Sequence, residues 1–246
     1  MTIFVVPIVE GPTEERCVKI LLSRLWKFII PAGNDSVLAV LKPLPTKRSS
    51  LVKIGDSELA KQIQLAANSL RDALWQPVVD AGFILLMVDA EEECPATLGP
   101  LLLKRAKEAR ADLDIVCVLP KRELENWFKA AAASLGGVCG LPTDMAVAGD
   151  AEHGSGGEWL TSQKRRLGKN LKYNKPGDAV ELAKAMDLAQ CRANSPSFAK
   201  LCRELAARVP PAAPVQEVPA GTAPGPAAGR RDGDGVRRDP ALEDDP

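Results

Sequence analysis

Residues 82–88, GFILLMV, place seven residues without a polar side chain in a row. A strand with one face in water alternates apolar and polar residues, so an unbroken run belongs to a strand covered on both faces, as in a parallel sheet between layers of helices. The run is also far short of the roughly 20 residues needed to cross a bilayer.

The neighbouring segments alternate in the way such a sheet requires. IFVVPIV (3–9) reads as a strand, and 13–29 as a helix with Val18, Leu21, Leu22 and Leu25 at helical spacing. VLAVLKPLP (37–45) reads as a second strand, and 56–75 as a helix with Leu59, Ile63, Leu70 and Leu74 near one face. After 82–88 come a helix over 96–111 interrupted near Gly99-Pro100, a fourth strand DIVCVLP (114–120), and a helix over 123–135. This alternation predicts an α/β fold, a parallel sheet flanked by helices. From 136 to 157 the chain is Gly-rich, the profile of a mobile loop, and helical stretches follow near 158–166, 177–191 and 195–209. They are expected to pack back on the sheet. The organisation expected is therefore an α/β domain over 1–135, a Gly-rich loop with C-terminal helices over 136–209, and a tail over 210–246. That tail is dominated by Pro, Ala and Gly without apolar periodicity, and reads as disordered.

Composition narrows the function classes. At 246 residues and 46% hydrophobic content the chain can bury a substantial core. Its six cysteines include no C-x-x-C pair, which argues against a zinc ribbon or disulfide framework and suits a reducing cytoplasm. No basic segment precedes the first apolar run, so neither export nor a membrane is expected. Lys and Arg number 32, as do Asp and Glu; the tail carries a net −3 and the body +3, so no strong global field draws the protein onto nucleic acid.

The loops that follow parallel strands gather at one sheet edge, where such folds bind ligands. Strand one ends at Val9 and delivers Glu10, with Glu14 a helical turn later. The third strand delivers Asp89 and Glu91, and the fourth delivers Lys121, Arg122, Glu123 and Glu125. Acids at a helix N-terminus can simply stabilise its dipole. Carboxylates arriving from three loops repel one another, however, and a divalent cation with oxygen ligands, Mg2+ or Mn2+, is the economical partner. Glu10, Glu14, Asp89, Glu91 and Glu123 are the candidate ligands; Glu123 is preferred to Glu125 because it lies nearer the strand end. Lys121 or Lys175 could stabilise charge developing on a phosphate. Basic clusters at Lys47, Arg48 and Lys53, and at Lys164, Arg165 and Arg166, are candidate nucleic-acid contacts, with solvated helix faces as the competing reading. His153, the single histidine, lies in the Gly-rich loop and is expected at the surface. EGPTEE lacks the Gly-Lys-Ser/Thr of a phosphate loop, so ATP hydrolysis would fall to a partner.

IVEGPTEE after the first strand and LMVDAEE after a later one resemble the Toprim domain of topoisomerases, primases and the overcoming-lysogenization-defect nucleases. The chain more closely resembles a Toprim-like bacterial family of unknown function, in which PKRELENWF and the segment from YNKPGDAVELAKAM to SPSFAKL also have counterparts. The resemblance covers about residues 1–207. It implies a Toprim-like, Rossmann-like sheet with a C-terminal helical extension, a divalent metal, phosphodiester chemistry on nucleic acid (DNA in preference to RNA), an ATPase partner and a place in phage defence. Glu10 matches its first glutamate, Glu14 the acid four residues on, Asp89 and Glu91 the two places of its D-x-D motif, and Glu123 the glutamate of its E-x-E-x-W segment. With Tyr173 as the only tyrosine, in a lysine-rich segment, strand passage is not expected. A non-catalytic module that binds metal or a nucleotide and regulates an ATPase is the alternative. Deleting residues 211–246 is expected to leave the melting temperature unchanged, because the tail has no apolar face to bury; a loss of several degrees by calorimetry would contradict this reading.

Overall fold

The computed structural model describes residues 1–74, 79–146 and 149–211, with the side chains of 79 and 80 left out. The expected tail from residue 212 onward lies outside the described residues. The elements are β1 (Thr2–Val9), α1 (Pro12–Ile29), β2 (Val37–Val40), β3 (Leu44–Pro45), α2 (Arg48–Val52), α3 (Glu58–Leu74), β4 (Val79–Met87), α4 (Pro95–Ala109), β5 (Ile115–Val118), α5 (Glu125–Ala130), α6 (Gly156–Arg165), α7 (Lys175–Ala185), α8 (Leu188–Asn194) and α9 (Pro196–Ala206). Short 3-10 turns occupy Ala132–Leu135 and Val138–Gly140.

The five strands form one parallel sheet in the order β2-β1-β4-β5. β3 also pairs with β1, at Ile8 and Val9, on the side β2 occupies at Thr2–Val5. The single strand expected over 37–45 is thus split, and Pro43, which lacks an N–H, falls in the break. Side chains leave the sheet on alternate faces. Ile3, Val5 and Val9 with Phe83, Leu85, Met87, Val116 and Val118 meet α1, α5, α7 and α9, whereas Val6 and Ile8 with Ile84, Leu86, Ile115 and Cys117 meet α2, α3 and α4. Both faces are covered, as the run at 82–88 demands.

The C-terminal helices share the first of these cores, and Trp127 of α5 meets Phe198 of α9 edge to face, with ring centroids 5.2 Å apart. Helix boundaries differ from expectation where side chains intervene. α4 runs through Pro100 without interruption, because a proline at the sixth helical position forgoes one backbone hydrogen bond early in the helix. The helix expected over 177–191 breaks at Met186 and Asp187, where the Asp187 carboxylate accepts from the Gln190 N–H at 2.8 Å and starts α8. The Gly-rich segment, expected to be mobile, is tied to buried Asn126: its Nδ2 donates to Ala151 and Gly154 carbonyls, and its Oδ1 accepts from the Gly156 N–H at 2.8 Å. Among the described residues no helix is long and apolar enough to cross a membrane.

Gly156 sits against the α5 backbone so closely that an added Cβ would lie 2.4 Å from the carbonyl carbon of Glu125. Gly156→Ala is expected to destabilise the protein by about 2 kcal/mol or more. Gly99→Ala, whose Cβ would lie 3.9 Å from Leu119 Cδ1 and meet no other element more closely, should change stability by less than about 1 kcal/mol, because the helix propensity gained is offset by crowding of a Cβ against the following Pro100. Equal melting temperatures for the two variants would contradict this packing.

Candidate functional site

The chain leaves β1 for β2 on one side and later returns to place β4 on the other, so the strand order reverses between β1 and β4. Open α/β sheets bind ligands beyond the carboxyl ends of the strands at such a point. Val9 and Met87 are register partners there; Glu10 follows Val9 directly, and Asp89 follows Met87 after Val88.

Asp89 is buried, with 7% of its surface exposed, and its Oδ1 accepts from the Leu124 N–H at 3.0 Å. Burial pushes its carboxyl well above the usual carboxylate range; Lys175 opposes this, and Glu10, Glu125 and Glu14 add to it. Glu10 is raised by burial as well, with Glu14 and Glu91 adding, and its Oε2 is buried with no hydrogen-bond partner among the described residues. The Lys175 ammonium stands 2.8 Å from Glu14 Oε1 and 3.3 Å from Glu125 Oε1. Burial alone would lower Lys175, but Glu125, Glu14 and Asp89 outweigh it and the ammonium holds its proton more tightly than usual. Glu125, 1% exposed, also accepts from the Tyr173 hydroxyl at 3.2 Å. Burial raises its carboxyl too, with Lys175 opposing. Four carboxylates therefore act on one ammonium; burial is the first cause that raises Glu10, Asp89 and Glu125, and the surplus negative charge adds to it.

Arg48 fixes the loop that carries Asp89. Its buried guanidinium donates through Nε to the Asp89 carbonyl at 2.7 Å and through Nη2 to the Ala90 carbonyl at 3.1 Å. It also pairs with Glu91 at 3.1 Å and with Glu93. Glu91 and Arg122 both adopt left-handed backbone, φ 50° and 62°, and the Glu91 N–H donates to the Arg122 carbonyl at 2.8 Å. Two residues with Cβ atoms in this region indicate a loop conformation imposed by its surroundings.

The structure thus brings Glu10, Glu14, Asp89 and Lys175 together, with Glu91 at the exposed margin. Glu123 is used elsewhere: its Oε1 accepts from Ser155 Oγ at 2.6 Å and the Gly157 N–H at 2.8 Å, at the start of α6. Glu125 takes the place expected of it. Every residue of α5 is buried, so the helix has no solvent face for Glu125 to occupy, and the amphipathic pattern offered no signal. Lys121 turns away to line a cavity beside α4 and α9. Lys47 and Arg48 share a cleft of about 300 Å3 with Glu10, Ser49 and Glu91, whereas Lys53 is exposed beyond α2. In the second basic cluster Arg165 is exposed and Arg166 pairs with Asp144, but Lys164 is buried against Asp178 at 2.5 Å and is lost as a nucleic-acid contact. His153 is exposed, as expected.

Among the described residues no three or more His, Cys, Asp or Glu side chains already form a metal-holding group. Glu10 and Asp89 nevertheless fit a divalent cation in chemistry: they are hard oxygen donors, one with a buried oxygen lacking a partner, in a cluster with surplus negative charge. The family model described as "Domain of unknown function (DUF4276)" matches residues 9–206. No curated protein and no solved structure matches the chain.

The raised Asp89 carboxyl has a consequence for stability. Folding favours its protonated form, so its contribution is full below the unfolded value near 3.8 and is lost as pH rises through the higher folded value. Asn at this position keeps the oxygen that accepts from Leu124 but carries no charge. The stability of Asp89→Asn relative to wild type should therefore grow with pH above about 4, with a limiting slope of about 1.4 kcal/mol per pH unit. Denaturant unfolding of both proteins from pH 4 to pH 8 measures this, and a difference independent of pH would refute the buried-acid assignment.

Proposed function

The chain belongs to this family of domains of unknown function, and from its crevice we propose a Mg2+- or Mn2+-dependent phosphodiesterase that acts on nucleic acid, DNA in preference to RNA, alongside an ATPase partner. The observation that carries the reading is the unpartnered Glu10 oxygen beside buried Asp89 at the reversal of strand order. Glu10 and Asp89 would hold the ion, with water and substrate phosphate completing its shell, as Mg2+ commonly requires. When bound, the ion supplies neutralisation of the carboxylates and polarisation of the phosphate.

The chain's own groups supply the rest. The Glu10 oxygen that does not hold the ion would take a proton from an attacking water. Lys175 keeps a positive charge beside Glu14 and Glu125, where it can meet charge developing on the substrate. Arg48 holds Asp89 by its carbonyl, and exposed Lys47 on the same cleft offers a contact to the phosphate backbone. The Toprim resemblance supports the same two ligands, since Glu10 and Asp89 match its first glutamate and the first acid of its D-x-D motif. The ATPase partner and the place in phage defence rest on that resemblance alone.

A second reading, a non-catalytic module that binds metal or nucleotide and regulates an ATPase, draws support from Lys175, which already gives the acidic cluster a cation of its own.

Glu10→Gln separates the roles. Glutamine keeps the size and can still accept from a helix N–H, but it loses the charge a ligand or base requires. Plasmid nicking with Mn2+, assayed together with any ATPase that co-purifies, should fall by about 100-fold or more. The rise in melting temperature on adding Mn2+ should disappear with it. Unchanged nicking and an unchanged metal shift would make Glu10 a helix-terminal acid only. A metal shift in wild type without nicking would favour the regulatory module.

A further inference from the structure

The free edge of β5 opens onto a second cavity, of about 520 Å3, between the first turns of α4 and the α9 helix. Its size is that of small-molecule sites, about 300–1,000 Å3. Pro95, Pro100, Leu103 and Leu119 give it apolar walls, and Lys121, Lys200 and Arg203 bring three cations to the same space. Lys200 is engaged: its Nζ donates to the Cys117 carbonyl at 2.9 Å and pairs with Glu204 at 2.9 Å. Among the described residues, Lys121 and Arg203 form no ion pair.

Glu152, the one acid in the lining, does not answer them. Its Oε1 accepts from Ser195 Oγ at 2.5 Å, from Ser197 Oγ at 2.5 Å and from the Ser197 N–H at 2.9 Å, so its charge is committed to the start of α9. The Cys94 thiol stands exposed at the rim, held below its usual range first by the Ala96 N–H and more weakly by Lys121.

We propose that this cavity binds a small amphipathic organic anion, its apolar body against the proline and leucine walls and a carboxylate or phosphate head between Lys121 and Arg203. The match is one of charge and surface: two cations without an ion-pair partner among the described residues stand beside apolar walls that shed water when covered. The site does not depend on metal at the carboxylate crevice. It borders the same loop, since Lys121 precedes by three residues the Leu124 N–H that holds Asp89.

Calorimetric titration of the full chain with octanoate, octyl phosphate and octanol, all below micelle formation, tests the inference. At least one anion should bind, and octanol should bind about tenfold or more weakly, the effect of one charge-assisted contact. Preference for octanoate assigns a carboxylate head, and preference for octyl phosphate a phosphate head. Lys121→Gln/Arg203→Gln should erase the advantage of the anions over octanol, and Leu103→Trp, which fills the cavity, should weaken all three. The bound anion should also slow alkylation of Cys94 by iodoacetamide, followed by peptide mass. Octanol binding as tightly as both anions, unchanged affinity in the Lys121→Gln/Arg203→Gln protein, or Cys94 alkylation indifferent to every ligand would each overturn the assignment.

Discussion

Asp89 is held at both ends. Leu124 grips its carboxylate and Arg48 its carbonyl, so β4, the β5–α5 loop and α2 converge on a single residue that cannot swing out to water. Removing a carboxylate from water costs several kcal/mol unless a cation or a proton compensates it. Much of the surrounding arrangement follows from that requirement. Glu10, Glu14 and Glu125 enlarge the deficit instead of relieving it, and among the described residues the Lys175 ammonium pairs with Glu14 and Glu125.

Lys175 comes from the start of α7, and Tyr173, which donates to Glu125, comes from the turn before it. The C-terminal helices therefore complete the crevice as well as covering the sheet. Their hold is hydrophobic: α7 and α9 share one core with α1 and the strands, and Trp127 and Phe198 are fully buried within it. A site completed from so far along the chain depends on that core for its geometry. Substitutions in α9 should accordingly be read for their effect on packing before any effect on chemistry is assigned.

The β5–α5 loop carries two faces of one short segment. Lys121 turns to the cavity beside α4, and Leu124 turns its N–H to Asp89. Arg122 between them adopts left-handed backbone opposite Glu91. A loop pinned at several points has little freedom to rearrange, which suits a segment that must present a backbone donor to a buried carboxylate.

Much of the fold was legible in the chain itself. Continuous apolar runs such as 82–88 have only one environment that satisfies both faces, and the parallel sheet with helices on each side follows from them. The edge where Glu10 and Asp89 gather follows in turn, because parallel strands send their following loops the same way. Which carboxylate joins them did not follow. Glu123 and Glu125 are two residues apart with similar local sequence, and the choice depends on α6, which draws Glu123 to its first turn, and on burial of α5 from every side. The fate of Lys164 likewise depends on Asp178, a partner supplied by a later helix. Local pattern reports which faces of an element are apolar; only tertiary packing decides which polar group meets which, because that pairing is set by contacts between segments distant in the chain.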